Sequence, residues 1–516
     1  MPIRMVEDEN NSSQDNSNNP PEKSRGGSGG GGIGNILGML LPLLIRYPKL
    51  LILVAIAGGG YYFFGNGCGG AANKNQSSKA YSTGCEMKQE VYDSAEVFAS
   101  LSDKEKLPDR VTLQRFCPDP KNQGQQGSCV GWGSAYAART ILESIASGEN
   151  PNQVAFSPSF LYNQIGLEGC QGSYINRAME SMTKTGAMPF DKFKYDENSC
   201  DKKPNNYELQ DASQFKMKGY NRLTLNGDEY AVDMQAIKQN LAQGAPVVVG
   251  MSVGGSFMQD MIGQNVWSPA QEDYDKNGFG GHCMCLVGYD ESMNGGSFQL
   301  MNSWGADWGN KGFAWLRYKD FEYFCNEAYG VNPLAKKRLA ANETKLKCTV
   351  ALVEKQSGSY ISMKNKNENL FTTDQAIAIG TKFKVEVNNS IECYTYVFAQ
   401  DTDKSSYVLF PYTAKHSAYC GITGTRIFPR DYSMQADNIG NKDFMAIVIS
   451  KNPIDYKTLN TAINQNKSGS YQEKINAALA DESIANVGFS NSDKISFECD
   501  TKEKNAVAVV FEIDKR

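Results

Sequence analysis

Cys129 follows the run Asn122-Gln123-Gly124-Gln125-Gln126-Gly127-Ser128 and stands at the first turn of an expected helix. Free backbone amides and the helix dipole at such a turn favour a thiolate, lowering a cysteine pKa from about 8.5 towards the reactive range. The backbone N–H of Cys129 and the side-chain amide of Gln123 offer two donors to a tetrahedral oxyanion. A thiolate that attacks an acyl carbon also needs an acid/base partner for the leaving amine. The chain has two histidines, His282 and His416, and His282 lies in Gly280-Gly281-His282-Cys283-Met284-Cys285 at the start of an apolar strand. Asn302 then opens Asn302-Ser303-Trp304-Gly305, where an amide can accept the imidazole N–H and an indole can screen the pair from water. The bland alternatives are a buried thiol or disulfide half at Cys129 and a satisfied core histidine at His282. Four complementary residue types in suitable local settings outweigh them. His416 reads as a surface residue.

Other candidates are weaker. Asp273-Tyr274-Asp275-Lys276-Asn277-Gly278 imitates the first half of a calcium loop, but its twelfth position is Met284, which is no bidentate carboxylate. Cys283 and Cys285 flank His282, yet their alternation with Met284 and Leu286 suits core packing better than a metal cluster. The expectation is no metal and no cofactor.

The elements that must position these residues follow from periodicity. Between Ser128 and Ser147 apolar residues recur at helical spacing, with Ser128 as N-cap and Gly148 as stop. A second helix is expected around Asp233 to Leu241, then strands at Pro246 to Val249, Met284 to Tyr289 and Ser297 to Met301. Helices first and strands later predict an α+β region over 107–333. After the linker 334–345, residues 346–516 read as mainly β: Phe383 to Val387, Tyr394 to Phe398, Tyr407 to Phe410, Phe444 to Ile449 and Ala506 to Ile513, with one helix near Tyr471 to Leu479.

At 516 residues the chain exceeds one hydrophobic core, and its net charge of −5 gives no footprint for nucleic acid. With Cys129 set aside as a free thiol, the thirteen cysteines leave an even number, which fits an oxidising compartment. Residues 1–32 read as a disordered tail and 33–64 as an apolar, uncleaved membrane anchor. Arg46 and Lys49 on its N-terminal flank place the tail in the cytoplasm. Residues 65–106 read as a linker without a core of its own. The expectation is a single-pass membrane protein with its N-terminus cytoplasmic and the 107–333 region extracytoplasmic, periplasmic or at the cell surface.

The segments 122–132, 280–289 and 302–313 resemble the cysteine, histidine and asparagine motifs of the papain family of cysteine peptidases, in the same order and at similar spacing. The resemblance implies a two-lobed catalytic domain, a helical lobe facing a β-barrel-like lobe, with Cys129, His282, Asn302 and Gln123 as catalytic residues. It also implies a cleft lined by Gly172, Ser173, Gly281 and Trp304 that takes a peptide or protein substrate. Val130 and Gln126 depart from the family's tryptophan and disulfide cysteine, which marks a divergent, bacterial branch. Cys170, left without its usual mate, has Cys200 as a replacement. No room remains before Leu107 for the long inhibitory pro-segment of secreted relatives, so control of activity must differ. The C-terminal region resembles, more loosely, a β-rich accessory domain of bacterial envelope and signalling proteins. Two alternatives stand beside peptide hydrolysis: an inactive peptide-binding envelope adaptor, and acyl transfer through the same thioester.

Overall fold

An unbroken apolar run such as Val247-Val248-Val249 suits a strand covered on both faces. The computed structural model describes residues 3–8, 81–102, 105–224, 231–335, 344–430 and 432–516. In it this run lies in the strand Val247–Val253, between Cys325–Val331 and Gly280–Asp290, with all three valines fully buried. These belong to an eight-stranded sheet that continues from Gly280–Asp290 through Ser297–Met301 and Phe313–Arg317 to Val266–Trp267. Tyr220–Arg222 forms its other edge beside Cys325–Val331, and Arg110–Thr112 pairs with the end of Gly280–Asp290.

Against the sheet packs a buried helix, Cys129–Gly131, continuous through a wider π-helical stretch at Trp132–Arg139 into Thr140–Ser147. Gly148 ends it at φ 77°, donating its N–H to the Ser144 carbonyl, a conformation glycine adopts without a Cβ penalty. Ser128 does not cap the start with its side chain; its Oγ lies 2.6 Å from the Tyr195 hydroxyl instead. Asp233 does cap Met234–Ala242, its Oδ1 accepting the Ala236 N–H at 2.9 Å. Helices early in this region and a sheet later give the α+β arrangement expected for 107–333, with Met234–Ala242 and Tyr318–Phe324 also packed on the sheet.

The C-terminal region supplies all of one seven-stranded sheet and six strands of another, with two helices outside the former. Its strands carry apolar residues on both faces, and strict alternation sorts them. Val507, Val509, Phe511 and Ile513 enter the core between the sheets, while Ala506, Ala508 and Val510 enter the core beneath Tyr456–Gln465 and Tyr471–Ala478. The first helix was not expected from the sequence.

The membrane placement is overturned. Among the described residues no helix is long and apolar enough to cross a membrane. Moreover, Ile3–Glu7 is a strand paired antiparallel with Tyr432–Ala436, and Ile3 is 1% exposed. Asp8 follows it, accepting hydrogen bonds from Lys384 Nζ at 2.6 Å and Ser433 Oγ at 2.5 Å. A strand hydrogen-bonded into a sheet shares that sheet's compartment. One crossing between residues 8 and 81 would put the N-terminus and the C-terminal sheet on opposite sides, which this pairing forbids. The rest of the tail and the apolar run 33–64 lie outside the described residues.

Residues 81–102 fall within the segment expected to be a linker. They lie as a strap across the rest of the protein: Cys85, Tyr92, Ala95, Phe98 and Leu101 are buried in the core of the 107–333 region.

Candidate active site

Two loops meet around Cys129. Gln123 donates its backbone N–H to the Ser303 carbonyl at 2.9 Å, Gly305 donates to Lys121 at 3.1 Å, and Asn122 forms an antiparallel bridge with Trp304. This zipper joins the loop bearing Gln123 to the loop bearing Asn302. The Gln123 side chain is fully buried. Its Oε1 accepts from Ser303 Oγ at 2.7 Å and its Nε2 donates to the Gln126 carbonyl at 3.0 Å, so one Nε2 hydrogen stays uncommitted by these contacts.

His282 sits on Gly280–Asp290, opposite Met251 of the neighbouring strand, and is fully buried. Its Nε2 is 2.7 Å from Asn302 Oδ1, which can only accept, so Nε2 carries the proton. Nδ1 is then the lone-pair nitrogen, and it has no hydrogen-bond partner. Trp304 stacks on the imidazole with ring centroids 4.3 Å apart. The next residue, Cys283, turns its backbone N–H to the Cys129 sulfur. The structure thus brings Cys129, His282, Asn302 and Gln123 into one neighbourhood.

Gly172, Ser173, Gly281 and Trp304 also come together, and all four meet the strap. Ser173 accepts the Glu86 N–H and donates to the Gly84 carbonyl, both at 2.9 Å, which makes a parallel bridge centred on Cys85. The Gly281 carbonyl accepts the N–H groups of Gly84 (3.1 Å) and Cys85 (2.9 Å). Trp304 Nε1 donates to the Ser82 carbonyl at 2.8 Å, and its indole stacks with Tyr81. A Cβ at Gly281 would lie 2.0 Å from the Cys85 carbonyl oxygen, and one at Gly172 would lie 2.8 Å from that of Gly84. These glycines leave room for a second backbone. Met87 follows into a hollow beside Gly250, Ile175 and Asn326.

This cover sets the electrostatics. Burial raises the Cys129 thiol well above the ordinary range, the reverse of the lowering expected from the helix start. Burial also lowers His282 to about 4, against a smaller rise from its bond to Asn302. Beneath the strap the pair is therefore a neutral thiol and a neutral imidazole. Two further thiols adjoin: Cys85 lies within hydrogen-bond reach of Cys283.

Cys170 and Cys200 form a disulfide that ties the loop before Gly172. Ten other cysteines among the described residues are free and buried, so packing accounts for most of the cysteine content rather than cross-linking. Asp273 of the calcium-like loop is also buried, accepting the N–H groups of Ser256 and Ala270. Sequence reasoning missed Ser303, which orients Gln123, and the whole strap. A lone glycine at position 84 is the one sequence feature there that could have marked a close backbone approach.

Residues 108–331 match the family described as Papain family cysteine protease, and residues 376–453 match the one described as Domain of unknown function (DUF4384). An uncharacterized peptidase C1-like protein of Acanthamoeba polyphaga mimivirus is 30% identical over 206 residues, 38% of this chain and 64% of that protein. Cathepsin K of Mus musculus is 26% identical over 236 residues, 45% of this chain. The chain spans 64% of the length of each of these relatives. The crystal structure of xylellain, a cysteine protease from Xylella fastidiosa, aligns at a TM-score of 0.41 with 22% identity, covering 51% of this chain and 100% of that one.

Proposed function

We propose, from the premise that residues 108–331 form a papain-family cysteine peptidase domain, that Cys129 is its nucleophile and His282 its acid/base partner. Asn302 orients the imidazole, and Gln123 with the Cys129 N–H receives the oxyanion. The observation that carries this reading is the polarity of His282: Nε2–H is spent on Asn302, which leaves Nδ1 to take a proton from the thiol.

The steps follow from that polarity. Nδ1 accepts the Cys129 proton and the sulfur attacks a peptide carbonyl carbon. The electron pair moves onto the carbonyl oxygen, held by the two N–H donors. The imidazolium returns its proton to the amine as the C–N bond breaks, leaving a thioester. His282 then deprotonates a water that attacks the thioester, releasing the acid and restoring the thiol. In the strap-covered state the first transfer is disfavoured, because neither charged form is solvated. Residues 81–87 occupy the place a substrate needs, and hydrolysis requires them to leave. Assembly of all four side chains around one buried point disfavours the inactive-adaptor alternative.

The test is hydrolysis of a mixed fluorogenic peptide library by the full chain under reducing conditions, beside a Cys129→Ala control. Cleavage lost in the control supports the reading. Absence of cleavage after Cys129 has been shown to react with iodoacetamide, and hence to be uncovered, overturns it.

A further inference from the structure

We propose that the C-terminal β region is the clasp that holds the strap over Cys129, so that contacts far from the cleft govern access to it. The inference rests on the peptidase reading only for its consequence; the clasp itself is a matter of which groups hold the strap.

Residues 96–98 form a strand-like seam between two bodies. On one side Phe98 donates its N–H to the Arg222 carbonyl at 3.1 Å, and Arg222 donates to the Glu96 carbonyl at 2.8 Å; Arg222 ends the edge strand of the 107–333 sheet. On the other side Val97 donates to the Lys415 carbonyl at 2.6 Å and accepts from Ser417 at 3.0 Å, bridging His416. His416 is thus half-buried against the strap rather than free on the surface. Both edges of one extended segment are satisfied, each by a different region.

The grip continues along the chain. Arg426, fully buried, donates Nε to the Ala99 carbonyl at 3.0 Å. Arg430 Nη1 reaches Ser100 Oγ at 3.2 Å, Ser102 donates to the Thr425 carbonyl at 2.8 Å, and Thr425 donates to Glu105 Oε1 at 2.8 Å. The side chains divide likewise: Phe98 and Leu101 enter the core of the 107–333 region, and Ala99 enters that of the C-terminal sheets. Between Gly84 over the cleft and the start of the seam at Glu96 lie eleven residues, anchored by Tyr92, whose hydroxyl donates to the Ala328 carbonyl at 3.3 Å. Loosening the seam shortens the ordered part of the strap and so weakens its hold on Ser173 and Gly281.

The experiment measures the rate of Cys129 alkylation by iodoacetamide in the full, reduced chain, read peptide by peptide by mass spectrometry. Val97→Pro removes the N–H that reaches Lys415, and Glu105→Ala removes the acceptor of the Thr425 N–H. Each is expected to speed labelling at least fivefold. Lys218→Ala breaks the surface pair with Glu392, which joins the same two regions without touching the strap, and is expected to leave labelling unchanged. Should Val97→Pro fail to fold, Glu105→Ala carries the same expectation. Unchanged labelling in the folded variants, with amides 96–102 exchanging faster, would overturn the clasp, as would equal acceleration by Lys218→Ala. Faster labelling without peptide hydrolysis leaves the clasp standing and overturns the peptidase reading instead.

Discussion

His282 and Trp304 stack with ring centroids 4.3 Å apart and planes inclined by 21°. With Nε2 fixed on Asn302 Oδ1, the imidazole is restrained both in its plane and across it, so that Nδ1 faces one direction only. Trp304 is itself 2% exposed and keeps water from the Nε2 hydrogen bond.

Asn302→Ala should therefore reduce kcat by about a hundredfold, since misplacement of a reacting group by about 1 Å has that effect. KM should change little, because Asn302 acts through His282. Gln123→Ala should lower kcat/KM by about a hundredfold or more, the range for loss of one oxyanion donor. Steady-state kinetics on one fluorogenic peptide measures both; an unchanged kcat in either variant removes that residue from the mechanism.

Gly84 sits at φ 134°, and a Cβ there would lie 2.3 Å from the Gly127 carbonyl oxygen. Gly84→Ala adds strain of about 1–3 kcal/mol to the covered state alone, which favours opening by roughly fivefold to 150-fold. Iodoacetamide should label Cys129 faster by that factor, with little loss of far-ultraviolet ellipticity. Slower or equal labelling would show that the strap at Gly84 does not limit access.

The site was legible where chemistry concentrates in short runs: Cys129 at a helix start, His282 after two glycines and Asn302 beside Trp304. The strands of the C-terminal region were legible too, because short runs of β-branched and aromatic residues mark strands even when both faces are buried. The strap was not. Its hold on Ser173 and Gly281 is made by backbone groups, which every residue carries, so no pattern of side chains announces it. Ile3–Glu7 escaped for a related reason: five strand residues vanish in the average composition of a polar tail, and the partner at Tyr432–Ala436 is distant in sequence. The thiol's direction of shift was misread because the helix start was legible and the covering chain was not.

Cys170 and Cys200 close a loop across a sequence separation of 30. In the chain-entropy account a loop of that size contributes about 3–4 kcal/mol by restricting the unfolded chain. Cys200→Ser should lower the thermal midpoint and widen exchange at Gly172 and Ser173, whose loop it ties. Calorimetry of the variant beside the parent, both without reductant, measures the first effect; equal midpoints would mean that the bond does not restrain the unfolded chain.

Glu327, on the strand beside Val247–Val253, is 2% exposed, and its Oε1 has no hydrogen-bond partner. Burial raises its carboxyl from 4.5 to about 8, against weaker lowering by the backbone N–H of Lys88 in the strap and by the Tyr329 hydroxyl. The folded protein therefore keeps this proton where the unfolded chain has lost it. Stability from the neutral carboxyl is fully present below about 4.5 and is lost as pH rises through about 8, at roughly 1.4 kcal/mol per pH unit in between. Glu327→Gln keeps a neutral group of the same shape at every pH. Its midpoint should match the parent near pH 4.5 and exceed it increasingly towards pH 8, while the opposite contribution of His282 is common to both proteins and cancels. Thermal melts across that range give the difference directly, and a difference that does not grow with pH would place an ionised carboxylate at Glu327.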